Sequence, residues 1–150
     1  MPLSDEAFKL FEKGGKLFDQ EKYEEAIDYL KKSAEIVSNN ESTYLVLGVA
    51  YRKIGKIDNA IKSYEKIIQI NPKNVDAYFI LGGIYSELNE NEKAIEYFEK
   101  AVELDPKDAD IWFGLGLTQM SLDQEKEAAG SFKKAIELNP SYKEKIQDLI

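Results

Sequence analysis

ESTYLVLGVAYRKIGKIDNAIKSYEKIIQINPKN, residues 41–74, holds two helical patterns and the signals that end them. Tyr44, Leu47, Gly48 and Tyr51 recur at three- and four-residue steps, the mark of one helix face. After a break at Gly55, Ala60, Ile61, Tyr64, Ile67 and Ile68 mark a second helix. It stops at Asn71–Pro72, because proline has no backbone N–H to continue the ladder and its ring disfavours the helical region for the residue before it. Outward from this stretch the pattern repeats. Gly14, Gly48, Gly82 and Gly116 stand 34 residues apart, as do Ala26, Ala60, Ala94 and Ala128; Pro72, Pro106 and Pro140 keep the same step. The chain divides into units 7–40, 41–74, 75–108 and 109–142, each a helical hairpin.

These residues resemble the tetratricopeptide repeat, whose signature reads W-x2-L-G-x2-Y…A-x3-F…P. The third unit matches with Tyr78, Leu81, Gly82, Tyr85, Ala94, Phe98 and Pro106. The fourth matches with Trp112, Leu115, Gly116, Ala128, Phe132 and Pro140, and departs at Gln119, where the pattern wants an aromatic. The first unit is the weakest match, with Leu10, Lys13, Gly14, Leu17, Ala26, Leu30 and Ser38. The resemblance implies an all-α, right-handed α-solenoid of four antiparallel helix-turn-helix hairpins, because one hairpin cannot bury its apolar face alone. Residues 1–150 are expected to form a single domain closed by a short C-terminal helix over about 141–150. Glycine on the first helix and alanine on the second are expected to let the two backbones approach, with the large side chains filling the space on either side.

The ends of the array need solvated faces. Lys9, Lys13, Lys16 and Gln20 form one polar stripe on the first helix, and Ser4 is its expected N-cap, with Leu3 and Phe8 spaced as a hydrophobic staple. At the other end Tyr142, Ile146, Leu149 and Ile150 share an apolar face that reads either as a closing helix or as the start of a fifth repeat.

Composition narrows the chemistry. The formal charge of −8 argues against nucleic acid and anionic membrane surfaces as partners. No cysteine and no histidine are present, so disulfides, thiolate nucleophiles and the commonest general base are excluded. The glycine pairs fall inside helical patterns rather than after strands, so no phosphate-cradling loop is expected. Asp105, Asp108 and Asp110 lack the spacing, glycine and closing glutamate of a calcium loop; Asp108 is instead the expected cap of the helix that follows. No catalytic set, cofactor or metal site is expected, and the start of the chain lacks the basic flank of a leader, which points to a cytoplasmic protein.

In proteins this chain resembles, the first helix of each repeat lines a concave groove. The matching residues here include Phe11 in the first repeat, Leu45, Val49 and Arg52 in the second, Phe79 and Gly83 in the third, and Phe113, Leu117 and Met120 in the fourth. Phe11, Leu45, Phe79 and Phe113 again stand 34 apart and lie outside the packing signature. They read as a ladder for an apolar segment or amphipathic helix of a partner protein, with Gly15, Gly83 and Gly114 giving room. Asp76, Glu87 and Asp110 favour basic flanks on that partner. A related subclass clamps the acidic C-terminal tails of chaperones with lysine, asparagine and arginine. The matching positions here, Phe11, Gly15, Val46, Asp76 and Ile80 or Leu45, Val49, Ile80, Asp110 and Gly114, hold none of these, and an acidic tail would meet Asp76 and Asp110, so chaperone tails are excluded as partners. The alternative is a structural module with no peptide ligand of its own, either a homo-oligomer whose ladder buries against a second copy or one stretch of a longer scaffold.

Overall fold

The computed structural model describes residues 4–150. Among them are nine α-helices and no strand. The chain divides between Asn74 and Val75, a repeat junction, into two compact units. The first contains α1 (Asp5–Asp19), α2 (Tyr23–Ile36), α3 (Glu41–Lys53) and α4 (Ile57–Ile70). The second contains α5 (Val75–Glu87), α6 (Asn91–Leu104), α7 (Ala109–Ser121), α8 (Glu125–Leu138) and α9 (Tyr142–Gln147). Within each unit the first and second helix of a repeat pack as a hairpin, and the second helix also packs on the next repeat's first helix.

The hairpin turns share one device. Glu21, Gly55, Asn89 and Asp123 take left-handed φ values of 60°, 77°, 60° and 57°. The N–H that follows each reaches back five residues, as in Lys56 to the Tyr51 carbonyl at 2.9 Å and Glu90 to the Tyr85 carbonyl at 2.9 Å. This is the Schellman arrangement, which satisfies the last carbonyls of the first helix. Glycine suits the position and occurs in one repeat of the four. Between repeats, Pro72, Pro106 and Pro140 each sit at the centre of an Asx turn. Asn71, Asp105 and Asn139 accept at 3.1 Å from the backbone N–H two residues on.

The glycine ladder packs differently from the sequence expectation. A Cβ built at Gly14, Gly48, Gly82 or Gly116 would stand 2.7, 2.6, 2.8 or 2.6 Å from the side chain of Leu30, Tyr64, Phe98 or Phe132 respectively. The large residue of the second helix lies directly over the glycine, not to one side of it, while Ala26, Ala60, Ala94 and Ala128 are buried beside that contact. Gln119, the departure from the pattern, is buried and accepts a 2.7 Å hydrogen bond from Ser131. In the preceding repeat the same two positions hold Tyr85 and Tyr97, whose rings stack 5.3 Å apart. An aromatic pair has been exchanged for a hydrogen-bonded polar pair, which satisfies the polar atoms it buries.

The ends follow the sequence in part. Ser4 caps α1 by accepting from the Ala7 N–H at 3.3 Å, and Lys9, Lys13, Lys16 and Gln20 are all exposed. Leu3 lies outside the described residues, and its expected staple partner Phe8 is 54% exposed. At the other end α9 covers Tyr142–Gln147, shorter than the 141–150 expected. Tyr142 and Ile146 are buried against α7 and α8, whereas Leu149 and Ile150 lie beyond the helix and are exposed.

Candidate functional site

The expected groove residues all lie on the first helices of their repeats, and each unit places its own set. In the first unit Phe11 is half-buried against the cluster of Ala26, Ile27, Leu30, Leu47 and Ala50. Leu45 is 41% exposed and Val49 is half-buried one turn further along α3. Arg52 has a structural partner. Its guanidinium hydrogen-bonds the buried Tyr64 hydroxyl, whose pKa burial raises and Arg52 partly lowers again. Tyr64 occupies the place of Leu30, Phe98 and Phe132, so an extra hydroxyl enters the core there and Arg52 satisfies it.

In the second unit Phe79 is half-buried, its ring centroid 5.9 Å from that of Phe98. Phe113 is held between two rings, 6.0 Å from Phe132 and 4.6 Å from Tyr142. Leu117 and Met120 pack against the same cluster of Ala128, Phe132, Tyr142 and Ile146. Tyr142 belongs to α9, and its hydroxyl donates to the Asp110 carboxylate. Burial, that hydrogen bond and the charges of Asp110 and Asp108 together push the Tyr142 pKa up to about 12. Asp110, expected to favour a basic partner, thus fastens α9. Asp108 caps α7, accepting from the Asp110 N–H at 2.8 Å, and Asp105 closes its own turn; each DPKDAD aspartate has a local role.

The small residues separate into two kinds. Gly114, expected to give a ligand room, is packed: a Cβ there would stand 3.0 Å from Phe98 and 3.7 Å from Phe79. Gly15 and Gly83 are open, with nothing within 4 Å of the point where a Cβ would stand. Each follows a half-buried phenylalanine by one helical turn, Phe11 and Phe79, so both units present an aromatic edge beside an empty notch. Spacing puts Gly15 and Gly83 at one repeat position and Gly114 at another, in the place of Val46 and Ile80, but it does not show what stands opposite each.

Three tetratricopeptide repeat models match the chain, over residues 75–108, 49–89 and 97–129, the first of them coinciding with the third sequence unit. A solved structure of MamA is similar at 30% identity and a TM-score of 0.83, covering 90% of this chain and 79% of that one. The chain belongs to the tetratricopeptide repeat family. MamA 41-end from Desulfovibrio magneticus RS-1 is similar at 28% identity and a TM-score of 0.79, over 91% of this chain and 77% of that one. YrrB, described as "a TPR protein with an unusual peptide-binding site", shares the fold at 23% identity and a TM-score of 0.77, over 89% of this chain and 69% of its own. No curated protein sequence matches. The tetratricopeptide fold is the α-solenoid of helical hairpins, and it makes this chain a protein-interaction scaffold with proteins or peptides as its partners. No helix among the described residues is long and apolar enough to cross a membrane.

Proposed function

We propose that the chain is a non-enzymatic cytoplasmic adaptor whose first-helix face takes an apolar peptide segment or amphipathic helix with basic flanks. In the first unit the contact residues are Phe11, Leu45, Val49 and Arg52; in the second they are Phe79, Gly83, Phe113, Leu117 and Met120. One observation carries the reading: Gly83, like Gly15, is a mid-helix glycine with no packing reason to be one. Such a glycine costs about 0.5–1 kcal/mol relative to alanine. Gly14, Gly48, Gly82 and Gly116 offset that cost by admitting a core side chain, and Gly114 by admitting Phe98. At Gly83 no described residue fills the space, and the half-buried ring of Phe79 stands one helical turn before it; a side chain of a partner fits there. The overall charge of −8 and exposed Asp76 favour a basic partner.

Panning a displayed library of amphipathic helices on the full chain, followed by fluorescence anisotropy of the selected peptides, tests the reading. The expected consensus is apolar at helical spacing with Lys or Arg flanks. Leu45→Glu and Gly83→Leu should each weaken binding about tenfold or more, the cost of losing one well-packed anchor. Both positions are open, so the helical circular dichroism should persist; Phe79 and Phe113 are too deeply packed to serve. Selected peptides that bind both variants as tightly as the parent chain would refute the proposal.

A further inference from the structure

A different face of α3 lines a second surface. Tyr44, Leu47 and Tyr51 form the floor of an open cleft of about 380 Å³ between α2, α3 and α4, and Lys31, Lys62 and Lys66 stand around it. Two repeats later, the same positions of α6, α7 and α8 form a cleft of about 720 Å³ floored by Trp112, Leu115 and Gln119. The backbone architecture is shared, but the charge of the lining differs. Lys31, Asn59 and Lys62 of the first cleft correspond to Glu99, Glu127 and Gly130 of the second. The first cleft has three lysines against Glu35; the second has Glu99, Glu103 and Glu127 with no cation.

The fold therefore does not require lysine at positions 31 and 62, while Lys66 keeps a lysine, Lys134, two repeats on; the structure makes no internal use of the three in the first cleft. Lys31, Lys62 and Lys66 form no ion pair among the described residues. Lys62 and Lys66 stand four residues apart on α4, a like-charge spacing that disfavours the helix unless something neutralises it. They concentrate positive charge in a chain of net charge −8, over an aromatic and aliphatic floor. The cleft shares no residue with the chaperone-tail clamp positions.

We propose that this cleft docks an acidic peptide segment of a partner protein. One leucine-like side chain would rest on Tyr44, Leu47 and Tyr51, and flanking carboxylates would pair with Lys31, Lys62 and Lys66. The site is independent of the phenylalanine ladder, which favours a partner of the opposite charge. Exposed lysines are strongly hydrated, so each ion pair adds little alone; the apolar floor and the convergence of three cations make the site.

The test uses the full chain and a fluorescein-labelled peptide of one leucine between two runs of glutamate, read by anisotropy. Saturable binding is expected, weakening several-fold between about 50 mM and about 300 mM salt as screening shortens the reach of the lysines. The variant Lys31→Glu with Lys62→Glu should lose at least about tenfold in affinity. A control with the same charge change elsewhere, Lys9→Glu with Lys107→Glu, should bind like the parent. Both pairs are exposed, and matched thermal melts establish that they fold. No binding by the parent chain overturns the proposal, as does equal loss in the control pair, which would mean bulk charge alone. Sedimentation that finds the parent self-associating and the cleft variant monomeric also overturns it, because the occupant would then be a second copy.

Discussion

Gly82 and Gly83 are neighbours on α5 and make opposite predictions for the same substitution. Alanine at either position gains about 1 kcal/mol of helix propensity, because glycine loses more backbone freedom on folding. At Gly83 nothing opposes that gain, and the variant should be about 0.5–1 kcal/mol more stable. At Gly82 the new methyl would stand 2.8, 2.9 and 3.0 Å from Phe98 Cδ1, Cε1 and Cγ. Carbon atoms prefer roughly 3.5–4.0 Å. The ring cannot easily retreat: Phe98 is 3% exposed, Phe79 lies on one side and Gly114 of α7 is close to its edge. Overpacking of this kind costs about 1–3 kcal/mol, so Gly82→Ala should be destabilised by up to about 2 kcal/mol despite its propensity gain. Because the propensity gain is common to both variants, their difference isolates the steric term. Urea unfolding of the two proteins side by side measures it, and thermal melts should separate them by several degrees. Phe98→Ala should cost less in the Gly82→Ala background than in the parent chain, because it removes the ring the new methyl strikes, a favourable coupling in a double-mutant cycle. Equal stabilisation of Gly82→Ala and Gly83→Ala would refute the claim that the glycine ladder exists to admit the second-helix side chains.

Other outcomes follow from the same geometry. Glu21 holds a φ of 60° that L-residues adopt at a cost; Glu21→Gly should stabilise the chain by about 0.5–1 kcal/mol in urea unfolding, with a smaller gain for Asn89→Gly, since asparagine tolerates this region. Tyr142 titrates near 12 in the fold against about 10 when unfolded. The neutral form is the one the fold favours, so this contribution is complete below about pH 10 and is lost as pH rises through 12. The stability advantage of the parent chain over Tyr142→Phe should therefore shrink across that window, and a constant difference would count against the bond to Asp110. Ser131→Ala leaves buried Gln119 without its donor and should cost about 1–3 kcal/mol, whereas restoring tyrosine at both positions should recover stability.

Residue periodicity makes the hairpins legible: glycine, alanine and proline at one 34-residue step define the units, and Ser4 and Asp108 cap helices where expected. The Schellman turns are not legible beyond Gly55, because Glu21, Asn89 and Asp123 satisfy the same backbone geometry with different residues. Gln119 stands out as a departure, but its compensation lies twelve residues on, at Ser131 in place of Tyr97, and the two become a pair only when the hairpin closes. For the candidate site, the first-helix face is legible, while exposure along it is not. Phe113 reads as another rung of the ladder until α9 places Tyr142 against it.

By itself the sequence determined the repeat, its length and the helical hairpin, since these depend on local spacing, turn residues and one apolar face per helix. The tertiary structure decided which of the small and aromatic residues are already occupied by the chain's own packing. Gly82 and Gly83 have the same chemistry and nearly the same address; what separates them is Phe98, sixteen residues beyond Gly82 along the chain and in contact only after folding. The two clefts differ in the same way, since their charges become surfaces only when three helices bring Lys31 and Lys62, or Glu99 and Glu127, around one floor.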